Sequence, residues 1–181
     1  MDNVLKLNRA EFLALPDTQN SLVELNEKWN QNVLLMGDFN DEPYSRSVLE
    51  FLKASSGTDK LEEEITKSNG KQIPAVKSYL GKQAYLFNSM WHLLGIPDEG
   101  SYYYSESTNT MNMLDQFMVS RGLYYGFRKL KLKLDSVEIF RPSIMCSKTK
   151  KRPLKFEFSG DGSTSKGYSD HFPIQAIIET I

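Results

Sequence analysis

Short apolar runs separated by polar loops are the main pattern of this chain. Residues 33–36 are four consecutive apolar residues and predict a fully buried strand, after which Gly37 opens a polar loop that ends at Pro43. α/β proteins place functional groups at the C-terminal ends of such strands. The loop therefore carries the first candidate functional side chains: Asp38, Asn40, Asp41 and Glu42.

Helical patterns lie on both sides of this strand. An amphipathic helix is predicted over residues 17–31, with its first residue, an aspartate, as the cap, and another over residues 44–54. Residues 55–84 are polar and predict a surface excursion with one short helix around residues 60–67, and residues 86–94 predict a short apolar helix. The second amphipathic helix has an apolar face formed by Val48, Leu49, Phe51 and Leu52.

The second half of the chain predicts strands. Residues 102–105 and 113–120 resemble two strands joined by a polar turn at residues 106–110. Residues 130–140 predict a strand with one wet face, because their first five residues alternate leucine with lysine. Residues 172–178 predict a last strand. Helices that alternate with strands in this way are typical of a layered α/β protein, or α+β by some schemes.

Composition and charge limit the possible functions. The chain has 181 residues, of which 40% are hydrophobic and 25% charged, as in ordinary globular proteins. Its net charge of −1 excludes a whole-molecule attraction to nucleic acid or membranes. Its one cysteine, Cys146, excludes an internal disulfide and is expected to be a small packing residue. Without a signal peptide or a long apolar stretch, we expect a cytoplasmic protein with no membrane span.

Three short motifs combine a strand with polar chemistry. They are Gly37-Asp38-Phe39-Asn40, Leu114-Asp115-Gln116 and Ser169-Asp170-His171. Each motif alone is weak, because a Gly-Asp loop is usually a turn and an acid at a strand start is often a cap or an ion-pair partner. Their order and spacing carry more information than any one of them.

In that order, the three motifs resemble the C-terminal half of the endonuclease/exonuclease/phosphatase (DNase-I-like) superfamily, and uncharacterised bacterial members in particular. The resemblance covers the chain from about residue 17 onward. It implies part of a four-layer αββα sandwich, mainly the C-terminal sheet and its helices. The active site would lie where the edges of the two packed sheets meet.

The resemblance also implies a metal-dependent phosphoesterase and a role for each motif residue. Asp170 resembles the aspartate that ligates Mg²⁺ or Mn²⁺, and Asp38 the acid that orients the attacking water and touches a second metal. Asn40 resembles the phosphate-contacting asparagine, and an extended backbone would point it the same way as Asp38. His171 resembles the histidine on the scissile phosphate, with Asp115 as its paired acid, and a carboxylate beside an imidazole favours the charged imidazole.

Simpler interpretations compete at several of these positions. Asp38 is a possible cap for the helix at residues 44–54, although Asp41 and Glu42 are better placed to cap it. His92 is predicted to be a hydrogen-bonded packing histidine rather than a ligand. Residues 102–104, three tyrosines, are predicted to form a strand face rather than a base-stacking platform. For Asp115 the alternative is an ion pair with Lys129, Lys131 or Lys133.

The N-terminal half of the superfamily pattern has no match in this sequence. Members normally carry a strand asparagine and a Gln-Glu pair, whose glutamate is the principal metal ligand, before the Gly-Asp-Phe-Asn loop, and residues 1–37 contain neither. We therefore expect residues 1–181 to be a single domain that is the C-terminal part of the family domain, either a fragment or a natural short protein. An uncovered sheet face predicts self-association, or the missing half as a partner, and weak Mg²⁺ binding by the chain alone.

The predicted function, for the intact parent protein, is hydrolysis of phosphate esters, as phosphodiesters or phosphomonoesters, with nucleic acid among the candidate substrates. The prediction leaves open that this chain is inactive alone. Residues 128–155 contain ten basic residues and two acidic ones, which would either attract phosphate groups or form a solvated hairpin tip. DNA, RNA, phospholipid and small phosphoesters all stay open as substrates. The alternative from another class is a non-catalytic binding or scaffold module that keeps the fold and half of the site.

Overall fold

A computed structural model of the chain describes residues 32–59, 61, 85–104, 110–148, 152–156 and 167–181. The helix predicted over residues 17–31 lies outside the described residues, as do most of the surface excursion and the helix around residues 60–67 apart from residue 61. The turn predicted at residues 106–110 lies almost entirely outside them as well.

The described residues form eight strands and several short helical turns. The strands are β1 (Leu34–Asp38), β2 (Ala54–Ser55), β3 (Leu86–Asn88), β4 (Tyr102–Tyr104), β5 (Thr110–Asn112), β6 (Asp115–Ser120), β7 (Leu130–Ile139) and β8 (Ile174–Thr180). One α-helical turn, α1 (Arg121–Tyr125), follows β6, and a π-helical turn follows β1 at Ser47–Phe51. Tight 3₁₀ turns occupy Ser89–Leu93, Phe127–Lys129 and Ser143–Met145. Within the described ranges, none of the helices has the length and apolar character needed to cross a membrane.

The central sheet has four strands in the order β1-β6-β3-β2. Strand β6 pairs antiparallel with both β1 and β3, and β2 pairs parallel with β3. The register places Asp38, the last residue of β1, opposite Asp115, the first residue of β6. The sheet therefore brings two of the three sequence motifs to one end of the same strand pair.

The core lies on both faces of β6, because successive side chains of a strand point to opposite faces. Met118 belongs to one buried cluster, with Val48, Leu52, Ala54 and Leu86. Phe117 and Val119 belong to a second cluster that also contains Leu132, Val137, Ile139 and Phe172, from β7 and the segment before β8. The central sheet is therefore packed against the π-helical turn on one face and the β7–β8 sheet on the other. This mixture of sheets and helical turns confirms the predicted α/β class.

Strand β1 is less buried than its sequence predicts. Met36 is 57% exposed and Leu34 and Leu35 are only partly buried, so the prediction of a fully buried strand is wrong. The reason is the position of β1 in the sheet, since among the described strands it pairs only with β6. An apolar run predicts a strand, but its place at the centre or edge of a sheet depends on distant segments.

The helix predicted over residues 44–54 is much shorter in the structure. Only Ser47–Phe51 is helical, and Ala54 already belongs to β2. Val48 and Leu52 are buried as predicted, but Phe51 is 56% exposed. A single helical turn presents one narrow face to the sheet, and Phe51 lies outside that face.

Two further predictions for the middle of the chain are wrong in detail. Residues 86–94 form β3 followed by a 3₁₀ turn rather than one helix, because residues 86–88 pair with both β6 and β2. The tyrosine strand β4 pairs with β5 rather than with the strand at residues 113–120. Strand β6 instead enters the central sheet, where β1 and β3 flank it.

The last two strands agree with the prediction. β7 and β8 form an antiparallel pair, with an irregular register between Lys133 and Glu138. Leu132 is buried in the second cluster, whereas Leu130 and Leu134 are each 37% exposed. The alternation therefore predicts the strand correctly and its buried face only in part.

Candidate active site

The first motif is held at the end of β1 by the second motif. Asp38 lies opposite Asp115 in the strand register, and the next backbone N–H, of Phe39, donates to the carbonyl of Leu114 at 2.8 Å. Asp38 is exposed, so its carboxylate is accessible at the sheet edge. The register alone therefore brings two acids from separate motifs together.

Asn40 bends back onto Asp38. Its φ angle is 52°, so the backbone is left-handed here and the extended path assumed from sequence is wrong. The backbone N–H of Asn40 donates to Oδ1 of Asp38 at 2.8 Å, and its side-chain Nδ2 donates to Oδ2 at 3.2 Å. Asparagine tolerates this conformation because its short polar side chain bonds locally. The two side chains still lie together, by a tight turn rather than an extended strand.

A buried pair of amides anchors the loop that follows. Gln116 and Asn88 are fully buried, and Nδ2 of Asn88 donates to Oε1 of Gln116 at 2.6 Å. Nε2 of Gln116 donates in turn to the carbonyl of Asp41 at 2.5 Å. The amides connect β3, β6 and the loop after Asp38, and they are costly to leave unpaired. Sequence reasoning did not assign this role to either residue, and a glutamine inside an apolar strand was the available signal.

The two acids predicted to cap the following helix have different partners. Oδ2 of Asp41 accepts from the hydroxyl of Ser47 at 2.5 Å, at the start of the π-helical turn. The carboxylate of Glu42 instead accepts from Nδ2 of Asn112 at 2.7 Å and from the backbone N–H of Met113 at 3.1 Å. Asp38 is therefore not engaged as the cap, and the whole loop is tied to the β5–β6 segment.

Asp115 and His171 form a hydrogen-bonded pair. Nδ1 of His171 lies 2.6 Å from Oδ2 of Asp115, and the two side chains are 22% and 16% exposed. The hydrogen bond to Asp115 raises the pKa of His171 above its usual value of 6.5, and the nearby charges of Asp115, Asp38 and Asp170 act in the same direction, while burial opposes them. The imidazole is therefore held in its charged form to a higher pH than a free histidine. Among the described residues, none of the three β7-region lysines pairs with Asp115.

Asp38, Asp115 and His171 converge at one place. One ligand atom from each side chain lies within 4.8 Å of the other two. These residues come from three motifs that are up to 133 positions apart in the numbering, between Asp38 and His171. The structure therefore brings together three of the five residues singled out from the sequence, and Asn40 joins them through Asp38.

Asp170 lies beside this group without belonging to it. Its carboxylate Oδ2 is 4.0 Å from Nζ of Lys155, and its side chain is 45% exposed. The next residue, His171, has its backbone N–H bonded to the hydroxyl of Ser169 at 3.0 Å. This turn directs His171 toward Asp115 and leaves Asp170 on the solvent side, next to a basic residue.

Ser101 and Tyr102 also contact the Asp115–His171 pair, although sequence reasoning did not connect them with it. Ser101 is fully buried, and its hydroxyl accepts from the backbone N–H of Asp115 at 3.0 Å. Its carbonyl accepts from the N–H of Phe172 at 2.7 Å. The ring of Tyr102 lies 4.8 Å from the ring of His171, centroid to centroid. No local sequence signal marks these contacts, because all of the partners are distant in sequence.

The structure also tests three of the simpler sequence interpretations. The tyrosines 102–104 form β4, which agrees with the strand interpretation. Cys146 packs against the second core cluster, as expected of a packing residue. Nδ1 of His92 lies 2.7 Å from the carbonyl of Ser89, so the ring is hydrogen-bonded as predicted, but the side chain is exposed, so the prediction that it packs is wrong.

Comparison with known families decides the relationship of this chain. The model of the endonuclease/exonuclease/phosphatase family matches residues 14–180. The chain belongs to this family. Neither the comparison with curated proteins nor that with solved structures returned a match. The resemblance drawn from the three motifs is therefore confirmed, and family membership indicates a hydrolase of the phosphoesterase or nuclease type.

Endonuclease/exonuclease/phosphatase proteins usually use a divalent metal, and the donors in this chain fit one in part. Asp38 and Asp115 supply carboxylate oxygens within 4.8 Å of one another, which suits an oxygen-preferring cation. Nδ1 of His171 is bonded to Asp115 and is therefore not a free ligand. Oδ2 of Asp115 is engaged in the same bond, so the exposed carboxylate of Asp38 is the donor of this group that best fits a hard divalent ion.

Proposed function

We propose that this chain carries the phosphate-binding side of a metal-dependent phosphoesterase site that hydrolyses phosphodiesters or phosphomonoesters. The observation that carries the proposal is the convergence of Asp38, Asp115 and His171 from three separate motifs. The exposed carboxylate of Asp38 is suited to orienting a water molecule. The charged imidazole of His171, held by Asp115, is suited to binding a phosphate anion. Family membership agrees with this chemistry at the level of the reaction class.

His171 is the proposed phosphate contact. Its Nδ1 is committed to Asp115, so Nε2–H is the donor left for a phosphate oxygen. Asp115 keeps the ring charged and fixes its rotation, which places positive charge where negative charge develops on the phosphate oxygens. The side chain is 22% exposed, so one part of the ring is reachable from solvent.

Asp38 and Asn40 are proposed to act together on water and phosphate. Each oxygen of Asp38 already accepts one hydrogen bond from Asn40, which fixes the carboxylate orientation and leaves further lone pairs for a water molecule. Nδ2 of Asn40 has a second hydrogen, which is available to a phosphate oxygen. The tight turn at Asn40 therefore orients both groups toward the same side of the strand end.

We assign Mg²⁺ or Mn²⁺ to Asp38 and Asp170. The assignment of Asp170 rests on the motif resemblance, because Asp170 lies outside the group formed by Asp38, Asp115 and His171. The ion would neutralise charge on the phosphate and lower the pKa of water. The carboxylate of Asp170 is half exposed, and Oδ2 is only 4.0 Å from Nζ of Lys155. Lys155 would therefore compete with the metal for this carboxylate. Magnesium requires near-octahedral oxygen coordination, and we expect weak binding with these two protein ligands.

Hydrolysis of bis-p-nitrophenyl phosphate with added Mg²⁺ or Mn²⁺ tests the proposal. We expect metal-dependent release of p-nitrophenol that falls about 100-fold in Asp38→Asn and in His171→Asn. Asp135→Asn and His92→Asn are matched controls, because both residues are exposed and lie outside the group. Equal loss in a control, or hydrolysis that survives both site substitutions, would refute the assignment. Binding of a polyanion without any hydrolysis would favour the non-catalytic module instead.

A further inference from the structure

We infer that Ser101 and Tyr102 form a clamp that positions Asp115 and His171 relative to each other. The inference rests on the proposed function for its catalytic consequence, although the geometry can be tested without activity. We call these two residues the β4 clamp, since Ser101 immediately precedes β4 and Tyr102 begins it. In this arrangement neither residue touches substrate, and both act through the Asp115–His171 pair.

The pair needs positioning because its two members come from different sheets. Asp115 begins β6 in the central sheet, whereas His171 lies three residues before β8, which pairs with β7. Their hydrogen bond is 2.6 Å long, so small relative movements of the sheets would break it. A displacement of about 1 Å at a reacting group is enough to reduce catalysis on the order of 100-fold.

Ser101 is bonded to both sides of the pair. Its hydroxyl accepts from the N–H of Asp115 at 3.0 Å, and its carbonyl accepts from the N–H of Phe172, next to His171, at 2.7 Å. Its own N–H donates to the carbonyl of Asn112 at 2.8 Å, which ties it to β5. A fully buried residue with these three bonds fixes the distance between the β6 start and the β8 segment.

Tyr102, the second residue of the β4 clamp, contacts His171 through both its backbone and its ring. It forms an isolated antiparallel bridge with His171, and the two rings lie 4.8 Å apart with an interplanar angle of 40°. A phenol ring at this distance restricts rotation of the imidazole. The ring of Tyr104 lies 6.4 Å from that of Tyr102, centroid to centroid.

Two substitutions at Tyr102 separate positioning from packing. Tyr102→Phe keeps the ring, and Tyr102→Leu keeps apolar bulk without it. We expect Tyr102→Phe to retain kcat within about twofold and Tyr102→Leu to lose kcat on the order of tenfold, with KM within about twofold. Tyr104→Leu is the matched control, because it removes an exposed ring of the same strand that has no contact with His171 among the described residues.

Proton NMR of the histidine rings gives a readout that needs no activity. The chain has two histidines, so His92→Asn assigns the remaining ring signals to His171. At pH 5.5, where the charged form dominates, the ring current of Tyr102 shifts the His171 protons. We expect this shift to persist in Tyr102→Phe and in Tyr104→Leu and to collapse in Tyr102→Leu.

The two readouts distinguish failure of the clamp from failure of the proposed function. Unchanged His171 shifts and unchanged kcat in Tyr102→Leu would overturn the clamp. A ring shift that depends on Tyr102, in a wild-type protein that hydrolyses nothing, would support the clamp and refute the phosphoesterase proposal. Ser101→Ala should lower kcat as well, and if that variant does not fold, the Tyr102 series still decides the question.

Discussion

Replacing Asp115 with asparagine tests the central electrostatic argument. Asparagine has nearly the same shape as aspartate and retains an oxygen acceptor for Nδ1 of His171, so the substitution removes mainly the charge. The hydrogen bond to Asp115 is the largest cause of the raised His171 pKa. We therefore expect Asp115→Asn to lower that pKa, which an NMR titration of the ring protons measures directly.

The size of the expected effect of Asp115→Asn follows from the strength of the hydrogen bond and from the exposure of the two side chains. Hydrogen bonds to charged groups contribute about 1.5–3 kcal/mol, and the two side chains here are 22% and 16% exposed, which favours the lower end of that range. Loss of a fixed positive charge at the proposed phosphate contact should reduce kcat about 100-fold. Asp135→Asn, on the exposed part of β7, should change neither quantity.

The pH dependence has a definite sign. A histidine whose folded pKa is raised contributes stability that is fully present below its unfolded value of 6.5, and this stability is lost as pH rises through the raised folded value. Urea unfolding at pH 5.5 should therefore show the larger difference between wild type and Asp115→Asn, and at pH 9 the difference should be smaller. An equal difference at both values, or an unchanged titration, would refute the charge argument.

Four further predictions concern the supports of the site, its metal and its assembly. Gln116→Leu should lower the free energy of unfolding by about 1–3 kcal/mol in urea titrations, because Asn88 and the carbonyl of Asp41 lose their partner. Gly167→Ala should unfold at a clearly lower temperature by circular dichroism, since its Cβ would lie 1.9 Å from the carbonyl oxygen of Leu154. EDTA should abolish hydrolysis, and millimolar Mg²⁺ should restore it. Self-association stays a prediction that size-exclusion chromatography with light scattering checks, and a monomer at high concentration would contradict it.

Local patterns predicted those elements whose partners lie nearby or whose alternation is regular. β7 was predicted from its leucine–lysine alternation and β8 from an apolar run, and these two strands pair with each other. The strand nature of β1 and β6 was also visible locally. Their pairing was not, because strand partners that are about 80 residues apart leave no local mark.

The errors arose where long-range pairing overrides local preference. Residues 86–94 have an apolar pattern that fits a helix, but contact with β6 and β2 makes their first part a strand. Met36 looks like a core residue and is exposed, because β1 has β6 on one side only among the described strands. Burial depends on what lies opposite a residue, and that is a property of the tertiary structure.

The sequence by itself determined the family and the side chains of the candidate site, because acids, an amide and a histidine in a set order after apolar runs are local features. The tertiary structure alone decided how those groups act on one another. It placed Asp38 and Asp115 at one strand end, turned Asn40 back onto Asp38, and set His171 against both Asp115 and Tyr102. These relations depend on distances of a few ångströms between segments far apart in the chain, which only the packing of the two sheets defines.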